Sequence, residues 1–101
     1  MNPLYHSYHS SYELTVCKSA GGYMLQFESY RQPGAPISLH EFAREEDAAA
    51  AAKRFPELYQ QAELQGYTLK GPFFVHSTGK SVHVSFVFEP GMTLNRFREL
   101  L

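Results

Sequence analysis

The chain reads YELTVCKSAGGYMLQFESY from Tyr12 to Tyr30. On each side of Gly21-Gly22, apolar and polar residues alternate with a period of two, which is typical of strands that bury one face. We expect two antiparallel strands joined at Gly21-Gly22, because glycine accepts the positive φ angles of a tight hairpin turn. That turn places Val16 opposite Phe27, so the apolar residues of both strands share one face.

The alternation extends upstream of this hairpin, since Tyr8 has the same parity as Tyr12. A helix presenting Tyr5, Tyr8 and Tyr12 is the competing interpretation. The strand is favoured, because serine-rich segments are poor helix formers. Residues 1–7 are expected to be a flexible N-terminal segment.

Pro33, Gly34 and Pro36 predict a loop after the hairpin, followed by a short strand over Ile37–Phe42 with Leu39 on one face and His40 on the other. The sequence SLHE at Ser38–Glu41 also fits a capping box, which would start the helix there instead. We place the helix start later.

Three acidic residues, Glu45–Asp47, precede a run of alanines and then Lys53 and Arg54. This order suits the dipole of a helix of about three turns and uses the best helix former in its centre. Pro56 should kink or interrupt the helix, and Gly66 should end the second piece. An apolar stripe of Phe55, Leu58 and Ala62 continues through the proline.

The last third predicts a second hairpin turning at Thr78-Gly79, with Phe73 and Val75 facing Val82 and Val84. Further strand residues with the same buried parity are Phe86 and Phe88. The opposite, mostly polar face would carry Phe74, His76 and His83. Thr93 can cap a short helix whose apolar stripe is Leu94, Phe97 and Leu101.

Together these patterns predict one α+β domain over residues 1–101. Its order is hairpin, short strand, helix, hairpin and short C-terminal helix. We expect two layers, with one antiparallel sheet carrying a helix on one face.

The chain has 101 residues, a formal net charge of -1 and a single cysteine. Near-neutral charge supplies no general attraction to nucleic acid or anionic lipid. One cysteine excludes an internal disulfide and favours a reducing cytoplasm, and the N-terminus has no signal-peptide pattern. No apolar run is long enough to span a membrane.

Five histidines raise the question of a metal site. His40, His76 and His83 are predicted on the polar sheet face, but no ligand spacing typical of zinc proteins is present. Cys17 is placed in mid-strand, whereas catalytic nucleophiles favour turns and helix starts. A small metal- or Cys-dependent enzyme is therefore the third hypothesis, and we expect no cofactor.

The leading hypothesis is a non-enzymatic domain that binds a protein partner as a stoichiometric regulator, adaptor or inhibitor, because tyrosines are enriched at interface cores. Its predicted contact residues are Tyr8, Tyr12, Tyr30, Phe74, His76 and His83. The alternative is a module that binds single-stranded nucleic acid by stacking bases on sheet aromatics. A homodimer through an edge strand or through the C-terminal helix stripe is compatible with the sequence.

Overall fold

The computed structural model describes residues 5–31, 34 and 36–101, and it confirms the predicted α+β class and element order. The strands are β1 (Tyr5–Tyr8), β2 (Tyr12–Ser19), β3 (Gly22–Ser29), β4 (Ile37–Phe42), β5 (Tyr67–Lys70), β6 (Phe73–His76) and β7 (Ser81–His83). The helices are α1 (Glu45–Leu64), a 3-10 helix (Val84–Phe88) and α2 (Leu94–Leu100).

The strands form two antiparallel sheets, in the orders β1-β2-β3-β4 and β5-β6-β7, where the sequence predicted one. The chain divides into two compact units, one ending at Lys53 and one spanning Arg54–Leu101. The boundary between the units falls within α1. Strand β5, which pairs with β6, was not predicted from the sequence.

In the hairpin of β2 and β3 the side chains point to the predicted faces of the sheet, but the two strands pair in a different register. Ser19 pairs with Gly22 and Val16 with Leu25, so Ala20-Gly21 is the turn and the predicted partners are wrong by two residues. A Cβ on Gly22 would lie 2.2 Å from the Phe42 carbonyl oxygen. Glycine is therefore required at position 22, where β4 approaches closely. The turn lies one residue earlier than predicted.

Strands β1 and β4 are the two edges of the four-stranded sheet. Tyr5–Ser7, which were expected to be flexible, belong to β1, and residues 1–4 lie outside the described residues. β4 carries an irregularity at Leu39, where the register shifts opposite Leu25 and Gln26. The buried residues of this sheet are Tyr12, Leu14, Val16, Leu25, Phe27 and Leu39.

Helix α1 begins at Glu45 as predicted and continues through Pro56 to Leu64, without the interruption that the proline was expected to allow. Gly66 follows with φ +89°, a conformation that favours glycine after a helix. Along α1 the buried residues are Ala48, Ala52, Phe55, Leu58 and Ala62. This set contains the predicted stripe. No helix among the described residues is both long enough and apolar enough to cross a membrane.

The hairpin of β6 and β7 differs from its prediction by one residue. Phe74 pairs with Val82 and Phe73 with His83, because the loop takes three residues and ends at Gly79, whose φ is +96°. A shift of one residue exchanges the two faces of a strand. Phe74 is 1% exposed and Phe73 41% exposed, so the predicted facing of this strand is wrong.

The predicted strand beyond His83 is instead the 3-10 helix Val84–Phe88. Phe86, expected in the core, is 37% exposed. Helix α2 is capped as predicted, since the Thr93 hydroxyl accepts a hydrogen bond from Arg96 N–H at 3.1 Å. Its Phe97 is fully buried and packs edge-to-face on Phe74 at 5.8 Å, so Phe97 is not available for a dimer contact.

Candidate functional site

The outer face of the four-stranded sheet carries the most exposed predicted site residues. Tyr8 is 72% exposed and Tyr30 47% exposed. Tyr12 points to the opposite face of the sheet, is 6% exposed and stacks on Phe27 at 4.9 Å. Tyr12 is therefore a core residue of the first unit rather than a surface contact.

Tyr8 and Tyr30 lie beside two glutamates. Tyr8 pairs with Glu13 across β1 and β2, and Glu13 pairs with Glu28 across β2 and β3. Tyr30 continues β3 by one residue, since its N–H donates to the Ser11 carbonyl at 2.9 Å. Residues opposite each other on antiparallel strands point to the same face, so these four side chains share one surface.

His6 completes this group from β1. Its Nε2 lies 2.7 Å from Glu13 Oε2, and its ring stacks on Tyr8 with the centroids 4.4 Å apart. The Tyr30 hydroxyl donates to the same Glu13 oxygen at 3.5 Å. We call His6, Tyr8, Glu13, Glu28 and Tyr30 the Tyr-Glu cluster.

The pKa values of the two glutamates of the cluster are shifted in opposite directions. The hydrogen bond from His6 lowers the pKa of Glu13 below its ordinary value, aided by contacts with Glu28 and Tyr30. The pKa of Glu28 is raised, first by its hydrogen bond with Glu13, then by desolvation and by repulsion from Glu13. Desolvation and the charge on Glu13 raise the pKa of Tyr30, which stays a phenol at neutral pH.

This arrangement suits a cationic group. An ionised carboxylate accepts charge-assisted hydrogen bonds from a guanidinium or ammonium, and the face of a tyrosine ring attracts the same cation. The exposed Tyr8 ring lies opposite Glu13, so both attractions act at one place. A phosphate would meet repulsion from Glu13 at this position.

The histidines of the second sheet do not share a face. His76 pairs with the buried Tyr67 and lies on the same face as Phe74, whereas His83 pairs with the exposed Phe73. The prediction that His76 and His83 lie on one polar face is therefore wrong.

Both histidines stabilise local backbone. His76 Nδ1 accepts from Thr78 N–H at 3.1 Å in the hairpin loop. His83 Nδ1 accepts from Ser85 N–H at 3.1 Å, and His83 thereby caps the 3-10 helix.

Phe74 is likewise a core residue. It is 1% exposed and contacts Tyr59 of α1 at a centroid distance of 6.2 Å. Of the six predicted contact residues, only Tyr8 and Tyr30 come together on an exposed surface.

Besides His76 and His83, the enzyme hypothesis depended on Cys17 and on His40. Cys17 is half-buried opposite Met24 on the outer face of the first sheet. His40 is exposed on β4, with its ring edge-to-face on Phe42 at 4.8 Å. Within residues 5–31, 34 and 36–101, no group of three His, Cys, Asp or Glu side chains is arranged to hold a metal ion.

Described residues also line a surface depression in each unit. In the first, about 610 Å³ lies at the start of α1, beside Tyr23 and the Arg44–Glu46 ion pair. In the second, about 380 Å³ lies between Phe86, Met92 and Leu100. Arg96 borders it and donates from Nη1 to the Gly91 carbonyl at 3.2 Å.

Sequence reasoning did not select Glu13, Glu28 or His6 as site residues. In the predicted register Glu13 would lie opposite Tyr30, and the observed shift of two residues brings it opposite Glu28. Alternation along β2 and β3 could have identified Glu13 and Glu28 as outward-facing. It could not place His6 and Tyr8, because the turn that separates β1 from β2 was not predicted.

Comparison with known proteins adds no family to these observations. No protein-family model matches the chain, and neither a curated protein nor a solved structure is significantly similar to it.

Proposed function

We propose that this chain is a small non-enzymatic protein-binding module, acting in the cytoplasm as a stoichiometric regulator, adaptor or inhibitor. Its contact surface is the Tyr-Glu cluster. The observation that carries the proposal is the 72% exposure of Tyr8 directly opposite Glu13. Large exposed aromatic side chains beside fixed charges are typical of interface hot spots.

The charge of the surface favours a partner of opposite charge. Glu13 and Glu28 are neighbouring carboxyl groups, and the first unit contains six acidic residues, Glu13, Glu28, Glu41, Glu45, Glu46 and Asp47, against four Lys and Arg residues. We therefore expect a partner segment that presents arginine or lysine, which the tyrosine rings and the carboxylates both attract.

The test compares affinity capture from lysate of the source cells by the wild type and two variants, with nuclease present. Tyr8→Ala removes the exposed ring of the cluster. Leu64→Ala removes a 75% exposed apolar side chain elsewhere and controls for general adhesion. The proposal expects a stoichiometric protein that is retained by the wild type and Leu64→Ala and is lost by Tyr8→Ala. Identical capture by all three proteins contradicts it.

A second candidate function is the binding of single-stranded nucleic acid, through the outer face of the second sheet. There Phe73 is 41% exposed, with the His83 ring edge-on at 5.0 Å and Lys70 opposite it on β5. An exposed aromatic ring beside a cation is the arrangement that stacks bases. Affinity for an oligonucleotide that falls steeply with salt and is lost in Phe73→Ala would favour this candidate.

A further inference from the structure

The backbone of β1 suggests how a partner would reach the Tyr-Glu cluster. In an antiparallel pair, opposed residues alternate between pairs that exchange backbone hydrogen bonds and pairs that do not. His9 N–H donates to the Tyr12 carbonyl at 2.9 Å, which fixes this alternation at the end of β1. The register then assigns the hydrogen-bonded positions to Ser7 opposite Leu14 and Tyr5 opposite Val16.

His6 and Tyr8 consequently occupy the positions without backbone bonds to β2. Their N–H and C=O groups point away from β2, toward the sheet edge. The hydrogen bond from Tyr30 N–H to the Ser11 carbonyl indicates the same alternation. It assigns the odd-numbered residues of β2 to backbone bonds with β3, so the even-numbered residues bond to β1. In the described part of the chain, β2 is the one strand that pairs with β1.

The other edge of this sheet is protected in a way that β1 is not. β4 has a register irregularity at Leu39 and follows Pro36, and both features discourage strand addition. β1 reads YHSY, with a regular register and without proline, lysine or a bulge. An edge of this kind is a template for a further strand.

We propose that the partner binds as an extended segment that adds to the edge of β1, with arginine at alternating positions. This inference rests on the proposed function and specifies its binding mode. Residues of the added strand opposite His6 and Tyr8 point to the outer face, and their backbone lies about 4.8 Å from that of β1 and two strand spacings from that of Glu13. Arginine is long enough to stack on Tyr8 and direct its guanidinium toward Glu13.

Three strands contribute charged and titratable groups that face this position. β1 contributes His6 and Tyr8, β2 contributes Glu13, and β3 contributes Glu28 with Tyr30 after it. His6 holds Glu13 at 2.7 Å, so the incoming guanidinium competes with an internal donor. Binding should therefore strengthen in His6→Ala, which keeps the backbone N–H and removes the competitor.

The experiment uses a blocked nonapeptide with arginine and threonine alternating, and a control peptide with glutamate in place of arginine. Amide exchange is measured on the whole protein by NMR. With the arginine peptide at saturation, exchange at His6 and Tyr8 should slow about tenfold, while Ser7, already bonded to Leu14, changes little. If the peptide binds and its binding depends on Glu13, but exchange at His6 and Tyr8 does not slow, strand addition is wrong and the proposed function still holds.

A pair of variants isolates the backbone contribution. His6→Pro removes the outward N–H that His6→Ala keeps, and proline is tolerated at an edge position whose N–H faces solvent. We expect the arginine peptide to bind His6→Pro about tenfold more weakly than His6→Ala. Protection of the Ser7 amide in both variants verifies that β1 stays paired.

Three results would overturn the proposal. Absence of binding by the arginine peptide, or equal binding by the glutamate peptide, removes the proposed function and strand addition together. Slowed exchange at His6 and Tyr8 that depends on protein concentration and not on peptide would identify a second copy of this chain as the added strand, and would contradict the proposed partner.

Discussion

Tyr8 on β1 lies directly opposite Glu13 on β2, at a position where the two residues exchange no backbone hydrogen bonds. Side chains come closest at such positions of an antiparallel ladder, with Cα atoms about 4.5 Å apart. An exposed ring thereby neighbours a carboxylate that His6 already engages. The same geometry leaves the backbone groups of Tyr8 directed toward the sheet edge.

The two glutamates of the cluster should respond oppositely to substitution. Because the pKa of Glu28 is raised in the folded protein, ionising it costs stability as pH rises through that pKa. Glu28→Gln removes this cost, so its melting temperature should exceed that of the wild type at pH 7. The gain should shrink as pH falls below the ordinary pKa of glutamate.

Glu13→Gln is the matched comparison for that variant. The pKa of Glu13 is lowered, so its ionised form stabilises the fold above its ordinary pKa, and this contribution is lost as pH falls through the lowered value. We expect Glu13→Gln to melt below the wild type at pH 7 and to approach it in acid. Shifts of equal sign in both variants would contradict the assignment of roles.

Tyr8 and Tyr12 should separate binding from folding. Tyr8 is 72% exposed, so Tyr8→Ala should change the free energy of unfolding by less than about 0.5 kcal/mol. Tyr12 is 6% exposed and stacked on Phe27, so Tyr12→Ala should cost about 3–5 kcal/mol. Urea denaturation measures both. A large loss in Tyr8→Ala would place that ring in the core instead.

Phe73 and Phe74 test the register of the second hairpin. Phe74 is 1% exposed and packs on Phe97, so Phe74→Ala should destabilise the protein by about 3–5 kcal/mol. Phe73 is 41% exposed, and Phe73→Ala should cost about 1 kcal/mol or less. Thermal unfolding of the two variants compares neighbouring residues of one type. A larger loss of stability in Phe73→Ala than in Phe74→Ala would support the register predicted from the sequence instead.

Gly21 and Gly22 test the turn of the first hairpin. A Cβ on Gly22 would meet the Phe42 backbone carbonyl at 2.2 Å, and its φ of +149° strains any other residue. Gly22→Ala should therefore cost at least about 1–3 kcal/mol. A Cβ on Gly21 meets the Glu41 carboxylate at 2.6 Å, at the end of a side chain that can move, so Gly21→Ala should cost less. Equal losses in chemical denaturation would contradict this explanation.

The sequence by itself determined the elements whose signals are local. The alternation from Tyr12 to Tyr30 specifies two strands and their buried faces, because side chains on a strand repeat every two residues. The start of α1 at Glu45, its stripe through Phe55 and the cap at Thr93 also depend on neighbouring residues alone.

Only the tertiary structure decided the partners. Adjacent Phe73 and Phe74 are both apolar, so periodicity does not indicate which of them is buried. The three-residue loop ending at Gly79 sets the register that buries Phe74. Likewise the close approach of Phe42 to Gly22 fixes the register that brings Glu13 opposite Glu28. Strand pairing depends on contacts between residues distant in sequence, so the Tyr-Glu cluster exists only once the register of three strands is set.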